Sequence, residues 1–387
     1  MNLPVTVLSR RQFIQRLGSS AALLGLASHS CSVLALANDQ LAMRQGAVPL
    51  KLNFNENSLG MSGKALNAAQ IAVKTAGNRY PGKAVSQLRE QLAMLHQVSP
   101  DMIILGNGST EVIGGIVALA AKSGAKVLEP NPTFGDVRRY SQAEGLEVIT
   151  VPVGAGFTTD IDALKKRSAS IKGPLLINLC NPNNPTGSSI EWTQLETWLK
   201  AAPDNHMFLV DEAYYEYAQA NPKYQSALKL IKQGQHNVVI TRTFSKIYGM
   251  AGMRIGYGIA TSSTAQKIRP FAAGNNLSIA GLAGASASLK DEEFYTYSLN
   301  SNQQAKSILL STLDELQLDY IPSDTNFVLH KIATDLSVYA DRMKQNGITV
   351  GRKMTPQDNW NRISIGTPQE MNQFAATLRA FRIKGWV

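Results

Sequence analysis

Four groups of residues, each directly after a short apolar run, hold the side chains that could do chemistry. Behind Met102–Leu105 comes Gly106-Asn107-Gly108-Ser109-Thr110-Glu111, which opens a helical pattern. Glycines let backbone approach a ligand, and the free N–H groups of a helix start suit a phosphate. A tight strand-to-helix turn would use the same residues, and the segment is neither a complete dinucleotide fingerprint nor a Walker loop. Behind Leu175–Leu179 comes Cys180-Asn181-Pro182-Asn183-Asn184-Pro185-Thr186-Gly187, an irregular loop able to aim an Asn side chain. Met207–Val210 ends in Asp211-Glu212-Ala213-Tyr214. An acid there is costly to ionise without a positive partner, whether a ligand or a structural Arg. Val238–Thr241 ends in Arg242-Thr243-Phe244-Ser245-Lys246, followed by Gly249 to Gly258 with Arg254 inside. A lysine at a strand end beside hydroxyl and arginine anion binders suits a Schiff-base role.

The elements that must position these groups can be read from the alternation. The runs above, with Lys126–Glu129 and Val148–Val151, are brief, β-branched or Leu-rich, and bounded by Gly, Pro or Asn. Amphipathic stretches such as Glu111–Ala121 and Glu191–Lys200 lie between them. This texture predicts βαβ units and a largely parallel, buried sheet, with ligands beyond the carboxyl ends of its strands. Leu88, Leu92 and Leu95 recur at helical spacing behind Pro81-Gly82. Past Pro270 a long helical region, roughly Gly281 to Leu316, precedes strand-like Thr325–His330, Thr349–Arg352 and Arg362–Ile365. That C-terminal third reads as a second, α+β domain.

A chain of 387 residues with 44 % hydrophobic and 17 % charged residues can bury a large core in two domains. The net charge of +10 is dispersed rather than gathered in a stripe, which argues against nucleic acid. The five histidines stand apart without metal-ligand spacing, and no G-x-S-x-G elbow is present. What the strand ends do assemble is a phosphate cradle, a carboxylate for a ring nitrogen, an Asn and a Tyr for a phenolic oxygen, and an amine for an aldehyde. That is the inventory for pyridoxal 5′-phosphate, an electron sink whose protonated ring nitrogen needs an ionised acid.

With these residues in place, the chain resembles the fold-type I, pyridoxal-phosphate-dependent aminotransferases, class I/II, and most of all the histidinol-phosphate aminotransferase group. The matching motifs run from Asn55-Glu56-Asn57 to Arg362-Ile363-Ser364-Ile365-Gly366-Thr367. The resemblance implies an α/β fold with a mostly parallel large-domain sheet covered by helices, plus a smaller α+β domain from the N- and C-terminal parts. It places an arm or part of the small domain at 38–77, the cofactor-binding domain at 78–275 and the small domain at 276–387. Lys246 would carry the cofactor and shuttle the proton between the substrate α-carbon and cofactor C4′. Asp211 would meet the ring nitrogen, Asn184 and Tyr214 the phenolic oxygen, and Phe134 the ring face. Ser109, Thr110, Ser245 and Arg254 would hold the phosphate. Tyr80, in Arg79-Tyr80-Pro81, would reach the phosphate of a neighbouring subunit, implying a homodimer with shared sites. Arg362, with Arg352 and Asn57, would bind substrate.

The implied reaction moves an amino group between an amino acid, or related amine, and a 2-oxo acid by a ping-pong mechanism. A decarboxylase, lyase or cyclase on the same scaffold is the alternative, since all differ only in which bond is broken. A non-catalytic cofactor-binding sensor is more remote, because residues 1–37 offer an export signal where such regulators carry a DNA-binding segment, and Lys246 and Asp211 are both present. One motif departs from the group. Ser58-Leu59 stands where its members have Pro-Tyr, and Leu59 has no hydroxyl to offer a substrate phosphate. The departure favours an amino acid with a carboxylate for Arg362 and a bulky or apolar side chain.

The first 37 residues read as targeting. Ser9-Arg10-Arg11-Gln12-Phe13-Ile14 leads into apolar Ala21–Ala27 and the small-x-small Ala35-Leu36-Ala37. They resemble a twin-arginine signal peptide cleaved after Ala37, which implies the twin-arginine export machinery as a partner and a periplasmic or otherwise exported location. Ser28, His29, Ser30 and Ser32 interrupt the apolar stretch, so no stable membrane anchor is expected. Removal of Cys31 with the signal would leave Cys180 alone, unable to form an intramolecular disulfide.

Overall fold

Continuous apolar runs in the middle of the chain demand a sheet covered on both faces, and that requirement sets the architecture. The computed structural model describes residues 49–272, 275–355 and 359–387. The expected export segment at 1–37 lies outside the described residues, as do residues 38–48 of the expected arm.

Strand β1 (Leu50–Leu52) precedes helices α1 (Gly63–Ala76) and α2 (Gly82–His96). The central run follows as β2 (Ile103–Gly106), α3 (Ser109–Lys122), β3 (Lys126–Asn131), α4 (Asp136–Ala143) and β4 (Val148–Pro152). It continues through α5 (Ile161–Ala169), β5 (Leu175–Cys180), α6 (Trp192–Ala201) and β6 (His206–Asp211). Short α7 (Tyr215–Ala218) and α8 (Leu228–Lys232) lead to β7 (Val238–Thr243), β8 (Gly256–Ile259) and α9 (Ser262–Ile268). The last part comprises α10 (Ile279–Ser288), α11 (Glu292–Glu315), β9 (Tyr320–Ile321) and β10 (Phe327–Lys331). It ends with α12 (Leu336–Gln345), β11 (Ile348–Val350), β12 (Trp360–Ser364) and α13 (Pro368–Ile383).

Seven strands form one sheet in the order β2-β8-β7-β6-β5-β3-β4. Leu176, Leu209 and Val239 point to one face and pack beneath α3, while Ile177, Phe208, Val210 and Ile240 point to the other. Each such side chain contributes ~1.5–3 kcal/mol by leaving water, which makes the sheet a rigid platform. Only β8 runs against its neighbours, pairing antiparallel with both β7 and β2. This reversal matters for function. The parallel strands bring their carboxyl ends to one edge, and an antiparallel strand brings its beginning there, so Arg254, just before β8, arrives beside Lys246.

Two smaller sheets, β12-β10-β9 and β1-β11, build a second core with Leu309, Leu313, Tyr339, Phe374 and Phe381. Helix α13 is fixed at its start by a capping box between Thr367 and Glu370, with Pro368 in the first turn. Two sequence expectations need adjustment. The helical region from Gly281 is two helices, because Leu289–Asp291 separates α10 from α11. Leu95 lies on the exposed face of α2, whereas Leu88 and Leu92 are buried.

Candidate active site

The carboxyl ends of β2, β5, β6 and β7 open into a single cavity of about 820 Å³. Ser109, Thr110, Phe134, Asn184, Asp211, Tyr214, Ser245, Lys246, Arg254, Arg352 and Arg362 all line it. The sequence-predicted residues are therefore gathered in one place, with two exceptions. Tyr80 is 87 % exposed and does not line the cavity. Asn57 is turned away, donating to Ile247 O (2.9 Å) and Ser298 Oγ (2.7 Å) and accepting from Leu59 N–H. Leu59 shares that neighbouring small recess with it.

At one end of the cavity, α3 is preceded by Gly108, which offers no side-chain cap, so its first N–H groups are left for an anion. Gly108 has φ +72°, and a Cβ there would collide with the Arg254 guanidinium. Gly256 in β8 is equally constrained, since a Cβ would run into the Ser109 N–H. Glycine at both positions lets β8, Arg254 and the helix start close on one another. Ser245 Oγ accepts from Thr243 Oγ1 (2.9 Å) and lies 3.5 Å from Arg254 Nη1. The result is a cradle for a phosphate-sized dianion.

Strand β6 ends in Asp211, and Glu212 follows it, the alternation of the extended chain sending the two acids to opposite faces. Glu212 is the structural one. It accepts from Arg242 Nε (3.1 Å) and Nη2 (2.8 Å), and Arg242 stacks 3.4 Å over the Tyr215 ring. Asp211 faces the cavity and receives the Thr241 hydroxyl at 2.8 Å. Burial raises its pKa from 3.8 to about 6, against the pull of the Thr241 bond. A buried acid with no Arg of its own suits a cationic ring nitrogen.

The Lys246 amine donates to the Asn55 carbonyl (3.1 Å) and, more loosely, to that of Phe54 (3.4 Å). Burial lowers its pKa from 10.5 to about 8, and Arg362 pushes the same way while Glu56 and Asp211 oppose. The amine is therefore neutral and nucleophilic in mildly alkaline solution. In consequence, uptake of pyridoxal phosphate by cofactor-free protein should accelerate from pH 6.5 and level off above about 8. Stopped-flow absorbance at fixed cofactor concentration measures this. A rate still climbing toward pH 10 would contradict a lowered lysine.

Tyr214 and Asn184 complete the floor. Asn184 Nδ2 donates to Tyr214 Oη at 3.3 Å, and Asn184 Oδ1 accepts from Arg362 Nη1 at 2.6 Å. Arg362 also donates to Asn53 O (2.8 Å), while its buried Nε has no hydrogen-bond partner. A buried guanidinium with an N–H left over is matched to an incoming anion. Phe134 is carried by a loop tied to the 180–187 loop, since Thr133 Oγ1 donates to Asn183 Oδ1 (2.8 Å). Asn55, Phe54 and Asn53 also line the cavity, and sequence reasoning missed them as site residues. The Asn55-Glu56-Asn57 motif was the available signal, but it points equally to Asn57.

Phosphate cradle, buried acid without an arginine, depressed amine and a cavity lined by Phe54, Phe134 and Tyr214 together fit pyridoxal phosphate. Comparison with known proteins leads to the same chemistry. The model of the family "Aminotransferase class I and II" matches residues 48–378. A histidinol-phosphate aminotransferase of Symbiobacterium thermophilum is 35% identical over 336 residues, covering 86% of this chain and 90% of that protein. A provisionally assigned histidinol-phosphate aminotransferase from Erwinia carotovora atroseptica superposes with TM-score 0.85 and 41% identity, covering 88% of this chain and 97% of that one. The Sinorhizobium meliloti histidinol-phosphate aminotransferase, solved in complex with pyridoxal-5'-phosphate, gives TM-score 0.79 and 26% identity over 98% and 99% of the two chains. The chain belongs to the class I and II aminotransferase family and is an aminotransferase of the histidinol-phosphate aminotransferase-like kind.

Proposed function

We propose that this aminotransferase holds pyridoxal 5′-phosphate in the cavity and moves an amino group from an amino acid to a 2-oxo acid in two half-reactions. The convergence of Lys246, Asp211 and the Gly108 cradle on one cavity carries the reading. When bound, pyridoxal phosphate supplies an electron sink for the bond broken at the substrate's α-carbon. Lys246 would hold the cofactor, and its neutral amine would take the α-carbon proton. Asp211 keeps the ring nitrogen protonated, and Phe134 orients the ring. Ser109, Thr110, Ser245 and Arg254 fix the phosphate. Arg362 binds the substrate's carboxylate through its free Nε–H, with Arg352 at the same cavity wall. Beyond them the cavity is lined by Leu336, Ala340, Val350 and Met354, which supports a substrate with a bulky or apolar side chain.

Mixing the loaded protein with single amino acids, and with histidinol phosphate, tests this reading. A donor that converts the visible band and yields a 2-oxo product establishes transamination. Release of carbon dioxide with return of the band would move the chemistry to a decarboxylase.

The assembly in this reading is a homodimer in which Tyr80, exposed on the single chain, reaches the partner's cradle. Residues 78–275 act as the cofactor domain, with 38–77 and 276–387 as the smaller one. The Arg10-Arg11 pair sends the protein through the twin-arginine route, so it can cross a membrane with its cofactor already bound. Arg10→Lys with Arg11→Lys should leave the protein uncleaved in the cytoplasm. Unchanged export of that variant would defeat the assignment.

A further inference from the structure

Asn55 is 1 % exposed and adopts φ +55°, a left-handed conformation that Asn tolerates better than most residues. That backbone turn aims its carbonyl at the Lys246 amine (3.1 Å), and Asn326 Nδ2 braces the same oxygen at 3.0 Å. Ser364, from β12, fixes the rest. Its hydroxyl accepts the Asn55 backbone N–H at 2.8 Å and spends its own hydrogen on Asn55 Oδ1 at 3.2 Å. The amide therefore has one orientation, with Nδ2 donating to Tyr214 Oη at 3.0 Å. Asn184 Nδ2 is the second donor to that oxygen. A phenol has two acceptor positions and one hydrogen. With both acceptor positions taken, the hydrogen of Tyr214 is left to donate into the cavity.

We propose that Asn55 is a positioning residue for the reaction: its ordered amide makes Tyr214 a donor toward the cofactor's ring oxygen, and its carbonyl holds the Lys246 amine. The inference rests on the pyridoxal phosphate reading above. It extends that reading to a residue that carries no chemistry of its own.

The test uses the loaded full-length protein and the pH midpoint of its visible absorbance. Asn55→Gly keeps the left-handed backbone, and so the carbonyl, while removing the amide. Weaker donation from Tyr214 leaves the ring oxygen more basic, so the chromophore keeps its proton to higher pH. The midpoint should rise by ~0.5–1 pH unit, the scale of one ordinary net hydrogen bond. In a Tyr214→Phe background the same change should add no more than ~0.3 unit, the limit of simple additivity. Ser364→Ala, which frees the amide to flip, should shift the midpoint the same way and carries the test if the glycine variant does not fold. An unmoved midpoint, or an equal shift with and without the Tyr214 hydroxyl, overturns the role of Asn55. Absence of any visible band in the parent protein would instead defeat the cofactor reading, and this inference with it.

Discussion

Lys246→Ala should lower kcat/KM by ~10³-fold or more, the upper range for loss of a positioned general base joined to loss of the attachment point. Among the described residues the other lysine lining the cavity is Lys353, carried next to Arg352 and Met354, whereas Lys246 sits between Asp211, Tyr214 and the Asn55 carbonyl. The fold should survive. The amine hydrogen-bonds to two backbone carbonyls and lies 5.6 Å from the Tyr214 ring centre, so its removal should change stability by no more than ~3 kcal/mol. Steady-state rates together with thermal unfolding check both halves. A variant within tenfold of the parent rate would remove Lys246 from the mechanism.

Asp211→Asn should move activity and stability in opposite directions. The rate should fall ~10²–10³-fold, because a neutral amide cannot hold a protonated ring nitrogen in a site preorganised for it. Stability follows from the raised pKa. The folded protein keeps the Asp211 proton up to about pH 6, whereas the unfolded chain loses it near 3.8. The folded state therefore binds more protons between these values, so the carboxylate's contribution becomes less favourable as pH rises through that window. The full difference is about 3 kcal/mol at most. Cofactor-free Asp211→Asn should accordingly match the parent near pH 4 and exceed it in thermal stability at pH 8. Paired unfolding curves at the two pH values measure this. A variant less stable than the parent at pH 8 would mean that burial does not strain this acid.

The same physics explains how much could be read from the chain. Strands β5 to β7 were legible because a parallel, doubly covered strand is apolar along most of its length, as Leu175–Leu179, Met207–Val210 and Val238–Ile240 show. Strand β8, Gly-Tyr-Gly-Ile, was not, since its glycines weaken any strand signal. They are there because Cβ atoms would strike the start of α3 and Val112. The acids of β6 were visible as a pair, but which one had an arginine depended on the face each met. Asn55 was hidden most deeply. Its partner Ser364 lies 309 residues away, and its part depends on a positive φ that no periodicity reveals.

Trapping the cofactor where it attaches tests the account most directly. Protein loaded with pyridoxal phosphate, reduced with borohydride and digested, should carry the cofactor's mass on the peptide containing Lys246, in nearly every chain. An adduct on another lysine, or none in protein that remains folded, would contradict the site built from β2, β5, β6 and β7.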